Sequence, residues 1–163
     1  MIASTGGDGV VPAYWLRDAV GAVFEADMRG VASHGTMLVP MYIDRVSAGS
    51  VSRREQAEVL VDKGAVAVLD AGHALGQLTG DQAMALAVRK AREFGIGAVT
   101  VRRAFHFGGA FRYVEAAARE GCVGIAAANT RPLMPAIGGA VAALRGHLEG
   151  AMTRILAGMA RAR

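Results

Sequence analysis

Over the first fifty residues the apolar positions recur every three to four places. Leu16, Val20, Val23 and Phe24 mark a helical face, and Pro12 is placed to start that helix because its fixed φ suits a first turn. After the loop RGVASHG, the stretch PMYIDRVSAG predicts a second helix, with Pro40 tolerated near its start and Gly49 free to take the left-handed position behind its end. The period then shortens. AEVLVDKGAVAVLDAG sets two valine-rich runs on either side of DKG, which predicts a β-hairpin. A helix from Thr79 is expected next: Thr79 and Gln82 have capping-box spacing, Met84, Ala87, Val88 and Ala91 form a stripe, and Arg89, Lys90 and Arg92 sit near the end marked by Gly95. IGAVTVR predicts a strand, residues 110–120 a helix closed by Gly121, and VGIAAAN a further strand with Cys122 as a small apolar residue at its head.

This alternation of strands and helices favours an α/β layer. The expected organisation is a helical part over 1–50, a partial α/β domain over 51–139 and a separate tail over 140–163. In the tail, Val141, Leu144, Leu148, Met152, Ile155 and Met159 form a helical stripe without a turn.

Composition narrows the setting. A chain of 163 residues with 53% hydrophobic content can build one full domain core. Its single cysteine excludes an intramolecular disulfide and fits a reducing, cytoplasmic compartment. No leader of basic and apolar segments opens the chain, and no run approaches the ~18 apolar residues of a membrane span, so no membrane partner is expected. The net charge of +4 is uneven: Arg145, Arg154, Arg161 and Arg163 against Glu149 put +3 of it in residues 141–163. The nearly neutral body lacks interleaved aromatic and basic residues, which argues against a nucleic-acid partner.

Four histidines are the candidate chemistry. His147 lies on the polar side of the tail stripe, and His73, in DAGHALGQ, follows a strand at a glycine turn where an imidazole often only caps a backbone group. His34 in SHG and His106 in HFGG stand beside glycines that let a backbone approach a ligand. An imidazole there suits proton transfer, because its pKa lies near neutrality and a partner on one nitrogen fixes the tautomer of the other. Ser33 is placed to act as nucleophile or to orient His34. Local features alone favour a structural role for each histidine. HExxH and CxxC are absent, so no metal site is expected. GIGAVT is the nearest approach to a GxGxxG fingerprint, but it has threonine for the third glycine and enters a strand, so a Rossmann crossover is not supported. HFGG leading into a helix offers free amides to a phosphate or carboxylate.

The segments EADMRGVASHGTMLVPMYIDRVSAG, DAGHALGQ and VRRAFHFGGAFRYVEAAAREGCVGIAAANTRPLMPAIGG occur in an order and spacing that resembles the malate/L-lactate dehydrogenase family of NAD(P)-dependent oxidoreductases. That family also includes ureidoglycolate, sulfolactate and diketogulonate enzymes and is non-Rossmann. Over residues 20–139 the resemblance implies a helical N-terminal part, a mixed sheet with helices, and a homodimer with pockets near the subunit contact. It implies NAD or NADP as cofactor and a small 2-hydroxy or 2-oxo acid as substrate. His106 is implied as the general acid/base, with His34, helped by Ser33, as the alternative. Tyr42 and Arg131 are implied at the substrate, and Thr130, Phe107 and Gly108 at the cofactor. Leu38 stands where many members carry an arginine, and the family continues beyond Gly139 with an Asn-Pro segment that is not found here. The expectation is therefore an N-terminal, truncated portion with a tail foreign to the family, as a frameshift would produce. Two functions follow from this: a dehydrogenase, impaired to the extent that its second half is missing, or a non-catalytic fragment that dimerises with a full-length relative.

Overall fold

The computed structural model describes residues 13–129, 134–135 and 142–144. The chain forms two compact units, residues 1–109 and 110–163.

The first unit opens with α1 (Ala13–Met28), two short 3₁₀ turns (Ala32–His34 and Thr36–Leu38) and α2 (Val39–Ser47). Pro40 sits in the first turn of α2, where its missing N–H costs nothing. The packed face of α1 is the row Ala19, Ala22, Val23 and Ala26, while Val20 and Phe24 from the expected stripe are exposed. Val23 joins Tyr42, Val51 and Leu75 in a small core, with Leu38, Met41, Val46 and Phe105 around it. The helical part and the segments after residue 51 thus share one core.

β1 (Glu58–Lys63) and β2 (Val66–Asp70) form the expected antiparallel hairpin, with a register irregularity at Val59–Val61 and Gly64 at φ +50° in the turn. α3 (Gly76–Phe94) crosses over to β3 (Ala98–Arg102), which pairs parallel with β2, so the mixed sheet has the order β1-β2-β3. Ala67 and Leu69 of β2 pack with Ala83 and Leu86 of α3 and with Val99 and Val101 of β3. Lys90 is buried and reaches back to the hairpin, bonding the Asp62 carboxylate and donating to the Gly64 carbonyl at 2.7 Å. Gly97 is where β3 starts under the helix: a Cβ there would lie 2.0 Å from the Ala87 carbonyl oxygen.

α3 begins at Gly76 rather than at Thr79, and the expected capping box is not formed. The Thr79 hydroxyl turns back to the Leu75 and Gly76 carbonyls, and Gln82 instead brackets the Ala57 backbone, accepting from its N–H at 2.7 Å and donating to its carbonyl at 3.0 Å. Tertiary partners outcompete the local cap. Gly95 ends the helix in the left-handed conformation, as expected.

In the second unit, α4 (Phe111–Arg119) occupies the expected helical stretch, with Gly121 behind it at φ +74°. Residues 123–129 alternate in exposure with a period of two, yet form no strand; only Ala128 is a bridge position. A strand exists only with a ladder partner. Gly124 packs on α4 instead, so closely that a Cβ would sit 2.9 Å from the Val114 Cα. Cys122 is half-buried, its thiol 3.8 Å from the Glu120 carbonyl, not enclosed in a strand. Ala142–Leu144, read as the start of the tail stripe, forms β5 and pairs antiparallel with β4 (Met134–Pro135). The rest of the tail, with His147, lies outside the described residues.

Candidate functional site

The site is built where β2 and β3 run out. Beyond their last pair the two chains stay side by side: Ala71 N–H donates to the Arg102 carbonyl at 3.0 Å, His73 N–H to the Arg103 carbonyl at 2.7 Å, and Phe105 N–H to the Ala74 carbonyl at 3.0 Å. Asp70, only 1% exposed, holds this junction. Its carboxylate accepts from Arg102 Nε at 2.7 Å, Arg103 Nε at 2.8 Å and the Gly72 N–H at 2.9 Å, and the Arg103 guanidinium above all keeps its pKa well below the usual carboxylate range. Arg103 and His73 both take positive φ, at 53° and 64°, which marks how tightly this paired turn is specified. The His73 side chain is exposed, and its contribution is the backbone.

The extension delivers two things to one place: the N-terminus of α3 and the segment 105–108. They touch backbone to backbone. A Cβ on Gly76 would lie 2.4 Å from the Phe105 carbonyl oxygen, 2.6 Å from the Phe107 Cα and 2.7 Å from the His106 carbonyl oxygen. Glycine is required there by space. Gly108, buried and at φ +76°, then turns the chain.

Three side chains converge from three elements. Tyr42, from α2 and 7% exposed, places its phenol 2.7 Å from His106 Nδ1. Gln77, from the start of α3 and 1% exposed, donates from Nε2 to the same phenol oxygen at 2.8 Å. His34 stacks on His106 with ring centroids 5.6 Å apart and planes 27° from parallel. Burial pushes the Tyr42 phenol up to about 12, against the smaller opposing effect of the Gln77 bond, so it stays a neutral hydroxyl at any ordinary pH. Burial also pushes the His106 pKa down, and the neighbouring His34 adds to that.

The SHG turn is held by Asp27 at the end of α1, whose carboxylate accepts from the Thr36 N–H at 2.8 Å and the Thr36 hydroxyl at 2.6 Å. Those two bonds lower the Asp27 pKa. Gly35 lies against that carboxylate, with no room for a Cβ. Ser33 Oγ is 3.0 Å from His34 Nδ1, so the hydroxyl is paired with the ring beside it.

The structure therefore brings together His34, Ser33, Tyr42, His106, Phe107 and Gly108. Thr130 and Arg131 lie outside the described residues. Gln77 was missed. It is the last letter of DAGHALGQ, and a helix read as starting at Thr79 left it in the preceding loop. The glycine before it, which admits the 105–107 backbone, was the available signal.

No group of three or more potential metal-ligating side chains occurs among the described residues, and no helix among them is long and apolar enough to cross a membrane. The chain matches the malate/L-lactate dehydrogenase family over residues 15–145, past the boundary expected at residue 139. It is 40% identical over 114 residues to the malate dehydrogenase of Pyrococcus abyssi, covering 70% of this chain and 32% of that one. It is 33% identical over 115 residues to ureidoglycolate dehydrogenase (NAD(+)) of Escherichia coli K12, covering 71% and 33%. The sulfolactate dehydrogenase structure from Methanocaldococcus jannaschii superposes with a TM-score of 0.73 at 35% identity, covering 76% of this chain and 36% of that one. The chain thus spans about a third of the length of the curated relatives it matches. By sequence and by fold, this chain belongs to the malate/L-lactate dehydrogenase family.

Proposed function

We propose that the chain supplies the proton-transfer side of an NAD- or NADP-dependent oxidoreductase that interconverts a small 2-hydroxy acid and its 2-oxo acid. The observation that carries this reading is the convergence of Tyr42, His106 and His34 in a member of this family.

Tyr42 occupies Nδ1 of His106, so Nε2 is the nitrogen left to meet a substrate hydroxyl. His106 takes the hydroxyl proton in oxidation and returns it in reduction; its depressed pKa favours the neutral base at neutral pH. Stacked beside it, His34, with Ser33 on its Nδ1, orients the ring and is the alternative proton carrier. Tyr42, which never ionises in the working range, holds a proton in place rather than moving it off the protein. Arg131 would pair the substrate carboxylate through two parallel hydrogen bonds.

The donor set itself fits a dinucleotide partner. Two imidazoles, a hydroxyl and a phenol move protons, but none takes up a hydride. A nicotinamide ring, when bound, supplies that acceptor. Phe107, the Gly108 turn and Thr130 are the residues of this chain that would hold it. The support for this cofactor class is the relative from Escherichia coli named for NAD(+). A homodimer in a reducing cytoplasm completes the reading, the latter on the strength of the lone Cys122.

Fluorescence titration of the 163-residue chain with NADH and with NADPH tests it. Saturable quenching or transfer by either supports the enzyme reading. Binding of neither overturns it for this chain and leaves the second reading, a non-catalytic partner that dimerises with a longer relative.

A further inference from the structure

Gln77 is enclosed at the second position of α3 and is half satisfied. Its Nε2 donates to Tyr42, while its Oε1 is buried without a hydrogen-bond partner. Buried amide oxygens are rarely left so. Gly108 packs beside this amide: a Cβ there would be in van der Waals contact with it, 3.7 Å from Nε2.

In the chain Gln77–Tyr42–His106 the polarity of one bond sets the next, because the phenol has a single hydrogen to give. With the amide nitrogen toward Tyr42, the phenol gives its hydrogen to His106 Nδ1. The neutral ring then carries its proton on Nε2 and cannot accept one there. A half-turn of the amide reverses everything. Oε1 takes the phenol hydrogen, the phenol oxygen accepts from Nδ1–H, and Nε2 is left with its lone pair. The imidazolium also fits only this second arrangement, because its Nδ1–H needs an acceptor.

We infer that Gln77 is a positioning residue whose amide orientation, relayed by Tyr42, selects the tautomer of His106: nitrogen toward the phenol holds a resting ring, oxygen toward the phenol frees Nε2 as a base. In the exchange Nδ1 takes one proton from solvent, Nε2 releases one, and the phenol hydrogen swings from Nδ1 to Oε1. Net charge is unchanged, and Tyr42 stays protonated throughout.

The inference rests on His106 being the proton carrier, but its test needs neither substrate nor cofactor. Ring ¹⁵N shifts of His106 in the intact chain report which nitrogen is protonated. The wild type is expected to hold the proton on Nε2. Gln77→Glu offers only acceptors at the same reach, and is expected to shift the tautomer ratio toward Nδ1–H by about tenfold, the factor one hydrogen bond of ordinary net strength supplies. In a Tyr42→Phe background the same substitution is expected to change nothing. An unchanged ratio in Gln77→Glu, or an equal change without the phenol, overturns the proposal. A second variant covers the case in which a buried carboxylate prevents folding. Gln77→Met keeps length without polarity and leaves the phenol hydrogen no acceptor once Nδ1 is protonated, so His106 is expected to titrate about one pH unit lower, a tenfold change in its proton affinity. His34, the titratable ring stacked on His106, is followed in the same spectra to exclude its contribution. A wild-type titration curve for His106 in Gln77→Met also overturns the proposal. Absence of dinucleotide binding would sink the enzyme reading while leaving these shifts as they are.

Discussion

Gly76 and Phe107 meet backbone to backbone, and a single methyl group on Gly76 would sit 2.6 Å from the Phe107 Cα. The obstructing atoms are main chain, held by the Phe105–Ala74 bond, and cannot rotate away. Gly76→Ala is therefore expected to destabilise the chain by about 1–3 kcal/mol, the usual cost of overpacking. It should also shift the His106 ring resonances, because the 105–107 segment carries that ring. An unfolding midpoint equal to wild type would show that the two segments are not pressed together.

The two stacked histidines make a second prediction. Burial is the larger cause of the lowered His106 pKa and the His34 charge the smaller. His34→Ala is expected to raise the His106 pKa part of the way toward 6.5, the ordinary imidazole value, as read by NMR titration. A fall instead of a rise would mean that His34 supports the charged ring. In the wild type the unfolded chain binds the His106 proton more readily, so this group's contribution to stability is complete above the ordinary value and declines as pH falls below it.

Asp70 carries a similar dependence at lower pH. Its folded carboxyl keeps its charge where an unfolded aspartate, at about 3.9, has already taken a proton. Stability is thus fully present above that value and lost as pH falls below it. Asp70→Asn is expected to lower the urea midpoint at pH 7 and to flatten the decline below about pH 4, only in part because Asp27 shares the same sign. The two arginines are more than half exposed, which keeps the effect modest. An unaltered acid limb in the variant would remove Asp70 from the account.

His106→Ala is expected to lower turnover of a 2-hydroxy acid by about 10²- to 10⁴-fold, the range of positioned acid–base groups, with the far-UV signal retained. Wild-type rates across pH would shift the role to His34.

The elements of this fold were legible where periodicity and glycine acted together. The hairpin, β3 and α4 stand where the alternation of valines and the glycines at 64, 95 and 121 put them. The order of SHG, DAGHALGQ and HFGG carried the family, and with it Tyr42 as a substrate residue and His106 or His34 as the proton carrier; that the three meet came from the structure. Other features depended on partners distant in sequence. Gln82 left its capping position for the Ala57 backbone, Thr79 turned inward, and Gly124 settled against α4 while residues 123–127 joined no ladder. Local propensities are worth a few tenths of a kcal/mol to about 1 kcal/mol, and a buried backbone group in need of a partner outweighs them.

The RAFHFGGAFRY stretch by itself determined that a histidine would stand in a glycine-bounded loop between a strand and a helix. Only the tertiary structure decided which nitrogen of that histidine faces outward, because the phenol on Nδ1 comes from α2, 64 residues earlier, and the amide behind the phenol from the start of α3. A tautomer is set by hydrogen-bond partners, and no spacing within one loop contains them.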